Sequence, residues 1–142
     1  MKFSSRKSAL FHILILGSAA FLIFFPAFGI PLNWIEKTDY WILIPFAAIT
    51  ALFLWIYFGT HYIVTETELI YRSGPLRGRI QIDQIREIVK EKTLYTGLKP
   101  ATASKGLIVR FGKYDEIYIS PDSNESFITE ILERNSQVII SE

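Results

Sequence analysis

The sequence predicts a membrane α-helical hairpin of two transmembrane helices joined to a small α+β domain, whose antiparallel β-sheet forms a partly open barrel closed by a C-terminal helix. Three observations carry this expectation. Half of the 142 residues are apolar, yet charges are sparse up to Gly59 and dense from Thr60 onward, so the chain serves two environments rather than one core. The first part holds two apolar runs long enough to span a bilayer. From Thr60 the apolar pattern takes period two, the strand signal, until a helix start near Pro121. The expected division is a transmembrane hairpin over 1–59, with helices at about 9–30 and about 41–59, followed by a domain over 60–142.

The first run reads ALFHILILGSAAFLIFFPAFGI and the second WILIPFAAITALFLWIYFG, with His12 the one readily ionisable group in either. A domain of the remaining size has no surface able to bury two such helices all round, so lipid is the expected solvent. The segment after Ser18 to Ala20 continues FLIFF instead of turning polar, which argues for a retained anchor over a cleaved leader. The short connector PLNWIEKTDY makes the two helices antiparallel, with both outer flanks on one side. Lys2, Arg6 and Lys7 flank the first helix against Lys37 in the connector. The positive-inside rule then places both termini in the cytoplasm, as a multi-pass protein of the cytoplasmic membrane. Trp34, Tyr40 and Trp41 read as one interfacial aromatic belt, and Trp55, Tyr57 and Tyr62 as the other. Gly17 and Ala20 on one helix and Ala47 and Ala51 on the other offer small-residue faces for packing within the hairpin or between two copies. Pro45 is expected to kink the second helix mildly, and Pro26 lies near the outer end of the first. His12, near the cytoplasmic end, reads as an interfacial hydrogen-bonding residue.

In the second part, HYIVT, LIYRS and RGRIQI read as successive strands joined by the turns TETE and GPL. Arg77, Arg79 and Gln81 fall on one face of the third, Gly78, Ile80 and Ile82 on the other, so one face is wet and the other buried. Ile82, Ile85 and Ile88, spaced by three, suggest a helical turn capped by Asp83 before a further strand toward Thr93. LYTGLKPATAS reads as a loop, and GLIVRF and EIYIS as a hairpin around GKYD. Pro121, with Asp122 three residues before Glu125 as a capping box, opens a helix. Its stripe is Phe127, Ile128, Ile131 and Leu132, with Glu130, Glu133 and Arg134 toward water. A final VII fits a short strand or docking tail.

The order THYIVTETELIYRSGPLRGRIQIDQIREI, KPATAS, GLIVRFGKYDEIYISP and FITEIL resembles the bacterial membrane-anchored PH-like domains of the YyaB-like kind, over roughly Thr60 to Asn135. Thr60, Tyr62, Val64, Leu69, Ile80, Ile82, Ile85, Ile88 and the ISP at Ile119 to Pro121 fit that family's pattern; KPATAS matches its loop more loosely. The resemblance implies a PH-like sheet with these isoleucines in its core.

No residues assemble into nucleophile, acid and base, and no spacing suits a metal or a phosphate loop. Without cysteine there is no disulfide or thiolate chemistry. The expectation is a non-enzymatic module with no cofactor, metal or catalytic residue. Between Arg72 and Lys113 ten basic residues stand against Asp83, Glu87 and Glu91. Arg72, Arg77 and Arg79 are the candidate contacts for anionic lipid headgroups or a partner. Basic residues beside an anionic leaflet gain ~1 kcal/mol each. The partners expected are the bilayer itself and a protein docking on the sheet edge or exposed loops, or a second copy; the alternative is a structural subunit of a larger membrane assembly, in contact through the small-residue helix faces. Nucleic acid is not expected, because aromatics are not interleaved with the basic residues on one strand face.

Overall fold

Both apolar runs are helical in the computed structural model, which describes residues 1–29, 41, 43–90 and 98–142. Helix α1 spans Ala9–Gly29 and α2 spans Leu43–Gly59. Both are apolar around their circumference, with Leu10, Ile13, Leu16, Ile23, Ile44 and Phe58 among the residues facing outward. By length and composition α1 can cross a membrane. With 17 residues, α2 is at the short end of the spanning range, ~17–25 residues. The connector PLNWIEKTDY, with Trp34 and Tyr40, lies outside the described residues.

The helices run antiparallel and touch through aromatic rings. Phe21 meets Phe46 at 4.4 Å between centroids, and Phe11 meets Phe53 at 6.4 Å. The small-residue seam expected between them is not used. Gly17 has open space where a Cβ would sit, and Ala47 and Ala51 face outward while Ala20 is half-buried; the ring pairs make the contact instead. Pro45 falls in the first turn of α2, where its missing N–H costs no helical bond, so it has no reason to kink the helix. At the other end the Nδ1 of His12 meets the Ser8 carbonyl at 3.0 Å, and its Nε2 meets the Tyr57 hydroxyl at 2.8 Å. The Nζ of Lys7 sits 4.0 Å from the Tyr57 ring centroid.

The domain is built of two four-stranded sheets. The first, in the order β1-β2-β3-β4, is an antiparallel meander of Lys2–Ser4, His61–Val64, Glu68–Ser73 and Leu76–Gln81. The second, in the order β7-β6-β5-β8, joins Asp115–Ile119, Leu107–Phe111, Ile85–Lys90 and Ile139–Ser141. Its β8 runs parallel to β5, the one non-antiparallel pairing among these strands. The sheets do not merge into a continuous barrel; they touch at a corner where Ser5 bridges to Pro121. Helix α3, Asn124–Leu132, packs Phe127, Ile128 and Ile131 over the core.

Strand β1 is the element the sequence reading lacks. It precedes α1 yet pairs with β2, which follows α2, through Lys2↔Ile63, Phe3↔Tyr62 and Ser4↔His61. The helical hairpin is therefore an insertion between two adjacent strands of one sheet. Phe3 is 4% exposed and packs edge-on against Phe127 at 5.3 Å.

The expected alternation holds in β4, with Arg77, Arg79 and Gln81 exposed and Ile80 buried. The helical turn is shorter than expected, a 3-10 turn at Ile82–Gln84 whose cap residue, Gln81, makes no side-chain bond to the turn and instead donates its side-chain amide to Glu68 at 2.8 Å. Asp83 lies inside that turn and does not cap it. A register irregularity between Ile85 and Glu87 resets β5. It lets Ile85 and Ile88, three apart, both face inward, which period two alone forbids. Residues 91–97, with the expected extension toward Thr93, lie outside the described residues.

Helix α3 is capped by Ser123, whose hydroxyl accepts the Ser126 N–H at 3.2 Å. Asp122 is one residue too early and accepts the Ser123 N–H instead. Nor do Glu130 and Arg134 simply face water. Their side chains are 15% and 16% exposed and pair at 2.8 Å, because α3 lies close against the β2–β3 turn that carries Glu66, 3.4 Å from Arg134.

Candidate functional site: the end of the sheet where the hairpin emerges

Four hydroxyls meet where the chain leaves β1 for α1. Ser5 Oγ lies 3.2 Å from the Tyr62 hydroxyl, 3.0 Å from that of Thr102 and 2.8 Å from that of Ser120. The Tyr62 hydroxyl donates to the Pro100 carbonyl and accepts the Ser120 N–H at 3.1 Å. Thus the tyrosine of the strand opening, the KPATAS loop and the ISP segment, far apart in sequence, converge on one buried cluster. Tyr62 is fully buried and is no part of an interfacial belt; its ring is core and its hydroxyl is a hub. Burial pushes its phenol above the usual value, so it stays a neutral donor. Next to it, Arg6 N–H donates to the Ser120 carbonyl at 2.8 Å and Ser8 N–H to the Thr102 carbonyl at 3.0 Å. These bonds fix the start of α1 to the domain.

The end of α2 is fixed as firmly. Thr60 donates to the Ile56 carbonyl in the last helical turn and meets the Ser73 hydroxyl at 2.9 Å, at the end of β3. Gly74, with φ +55°, lets the β3–β4 turn lie against α2, for a Cβ there would come within 2.7 Å of Ile56 Cγ1. The turn's exposed Pro75 and Leu76 sit at the same end.

The three arginines singled out in the sequence are brought together on the outer face of the first sheet. Arg72 and Arg77 are direct cross-strand partners, and Arg79 lies opposite Ile70. With Gly78 they line an open depression of about 270 Å³. Arg79 reaches Glu68 at 3.9 Å and remains 74% exposed. Arg72 and Arg77 have no carboxylate within ion-pair distance among the described residues. The other basic residues are dispersed. Arg110 lies on the second sheet, 2.8 Å from Glu87 and 3.5 Å from Glu116, and its hydrogen bond to Glu87 favours the charged form further. Arg86 donates to the Lys113 carbonyl at 2.8 Å. Lys92 lies outside the described residues. The basic excess of the sequence is therefore not one continuous patch. Among the described residues no three metal-ligating side chains cluster.

Two four-stranded sheets closed by helix α3, with a polar hub at one corner, define a small α+β domain of the PH-like kind. The chain belongs to the bacterial PH domain family, whose model matches residues 60–135, more than half of its length. It is similar to Uncharacterized protein YyaB of Bacillus subtilis (strain 168), with 28% identity over 102 residues that cover 70% of each chain. No solved structure gives a significant match.

Proposed function

We propose that the chain is a two-pass protein of the cytoplasmic membrane whose PH domain is a non-enzymatic binding and scaffolding module held against the inner leaflet. One observation carries the reading. The strand before α1 and the strand after α2 are neighbours in one sheet, so both helices leave the domain at the same end and their outer flanks share one side. A single crossing cannot satisfy that arrangement, whereas a hairpin of two crossings can. The circumferential apolarity of both helices supports lipid as their solvent. Lys2, Arg6 and Lys7, beside the domain, support a cytoplasmic side.

The hub around Ser5 and the Thr60 junction hold the domain in a fixed pose on the hairpin, as suits a module that presents one surface to the bilayer and others to a partner. Single cysteines in this cysteine-free chain test the topology, using a membrane-impermeant maleimide on intact cells. Lys37→Cys in the connector is expected to label from outside, and Tyr114→Cys at the β6–β7 turn only after lysis. The reverse pattern, or labelling of both from outside, refutes the proposal.

A further inference from the structure

Resting on that reading, we infer that Arg72 and Arg77 form a clamp for the phosphate of an anionic lipid in the leaflet beneath the domain. The first ground is electrostatic. Like charges directly opposite each other on neighbouring strands are destabilising, and this pair has no carboxylate in reach among the described residues. By contrast Arg79, Arg110 and Arg134 are each matched to one or more glutamates. A phosphate between the two guanidiniums satisfies both, since arginine presents planar, paired donors suited to its oxygens.

Position is the second ground. Ser73, the residue after Arg72, is tied to Thr60 at the end of α2, and Gly74 rests on Ile56. Arg72 and Arg77 therefore stand one or two residues, about 3–7 Å along the strands, from the point where the sheet meets the helix. Beside them are the apolar wall of α2, the exposed Trp55 ring next to Gly59 and the exposed Leu76. That juxtaposition, apolar surface beside cationic, matches one lipid molecule lying along α2 with its phosphate at the clamp. Arg79 lies two residues further up β4 at the rim of the same depression and has Glu68 within 3.9 Å, so the clamp is assigned to the unmatched pair.

The test uses the full-length protein in nanodiscs of equimolar phosphatidylglycerol and phosphatidylcholine, released into mild detergent for native mass spectrometry. Wild type is expected to retain one phosphatidylglycerol in preference to phosphatidylcholine. R72Q/R77Q should lower the lipid-bound fraction at least fivefold, and R86Q, on the second sheet, should leave it near wild type. Equal retention of both lipids by wild type, or unchanged retention by R72Q/R77Q, overturns the clamp. If millimolar inorganic phosphate strips the bound lipid from wild type, the site takes a soluble phosphate and the lipid assignment falls. In pure phosphatidylcholine discs the double variant should melt no lower than wild type, because it removes a repulsion; a lower melting temperature also contradicts the inference. Cysteine accessibility reads the topology independently. Correct labelling with failed lipid retention sinks the clamp alone, and inverted labelling sinks both.

Discussion

Replacing Phe3 by alanine asks whether the residues ahead of the first helix belong to the domain core. Phe3 is 4% exposed and stacks edge-on against Phe127 of α3. Truncation of a buried phenylalanine costs ~3–5 kcal/mol. Because β1 is a three-residue edge strand, the loss is limited by the free energy with which that strand docks, and ~3 kcal/mol is the expected figure. Undocking also releases Ser5 from the hub, so the change registers at two places. Amide exchange is the direct assay, read at Val64, whose N–H donates to the Met1 carbonyl at 2.8 Å. A loss of ~3 kcal/mol in opening free energy corresponds to exchange faster by about a hundredfold. Exchange at Val64 within twofold of wild type in Phe3→Ala would refute the reasoning that β1 is structural.

Two further substitutions report on the hub and the helix cap. Tyr62→Phe strips the hydroxyl from Ser5, Pro100 and Ser120 and should cost ~1–3 kcal/mol, seen as a lower melting temperature. Burial raises the Tyr62 pKa above its unfolded value of 10.0, so its contribution is complete below pH 10 and is lost as pH rises through the folded value. Wild-type melting temperature is therefore expected to fall more steeply above pH 10 than that of Tyr62→Phe, and parallel curves would contradict the buried phenol. Ser123→Ala should cost ~1 kcal/mol through loss of the α3 cap. Asp122→Ala should cost clearly less; equal losses in thermal melts would put the cap elsewhere.

The wet and dry faces of β4 were legible because period two is a local property of the chain. The isoleucines at 80, 82, 85 and 88 are buried, as the family resemblance implied; Thr60, Tyr62, Val64 and Leu69 are buried with them, Tyr62 against its expected place in an aromatic belt. Their spacing by three from Ile82 to Ile88 misled at one point, since a strand irregularity and a helical turn leave the same mark. Strand β1 was not legible. Three residues with one apolar centre carry no periodic signal, and their partner strand lies about sixty positions away across the hairpin. The hub was hidden for the same reason, because Ser5, Tyr62, Thr102 and Ser120 are ordinary polar residues until the fold closes. Small residues on α1 and α2 suggested a close helix seam, but Phe21, Phe46, Phe11 and Phe53 occupy that contact, and residue size alone does not say which face of a uniformly apolar helix turns inward. Of the basic residues, Arg72 and Arg77 could be paired only once the β3–β4 register was known.

Side-by-side placement of the strands flanking the hairpin underlies the two-crossing topology, and a disulfide between them tests it. The Val64 to Met1 bond makes Lys2 and Ile63 a non-hydrogen-bonded pair, with Cα atoms ~4.5 Å apart, inside the range a disulfide spans. Lys2→Cys with Ile63→Cys, oxidised in native membranes, is expected to form an intramolecular cross-link, while Lys2→Cys with Tyr114→Cys stays reduced. Absence of the cross-link in the first pair, or cross-linking only between molecules, would contradict the insertion of a two-helix hairpin between β1 and β2.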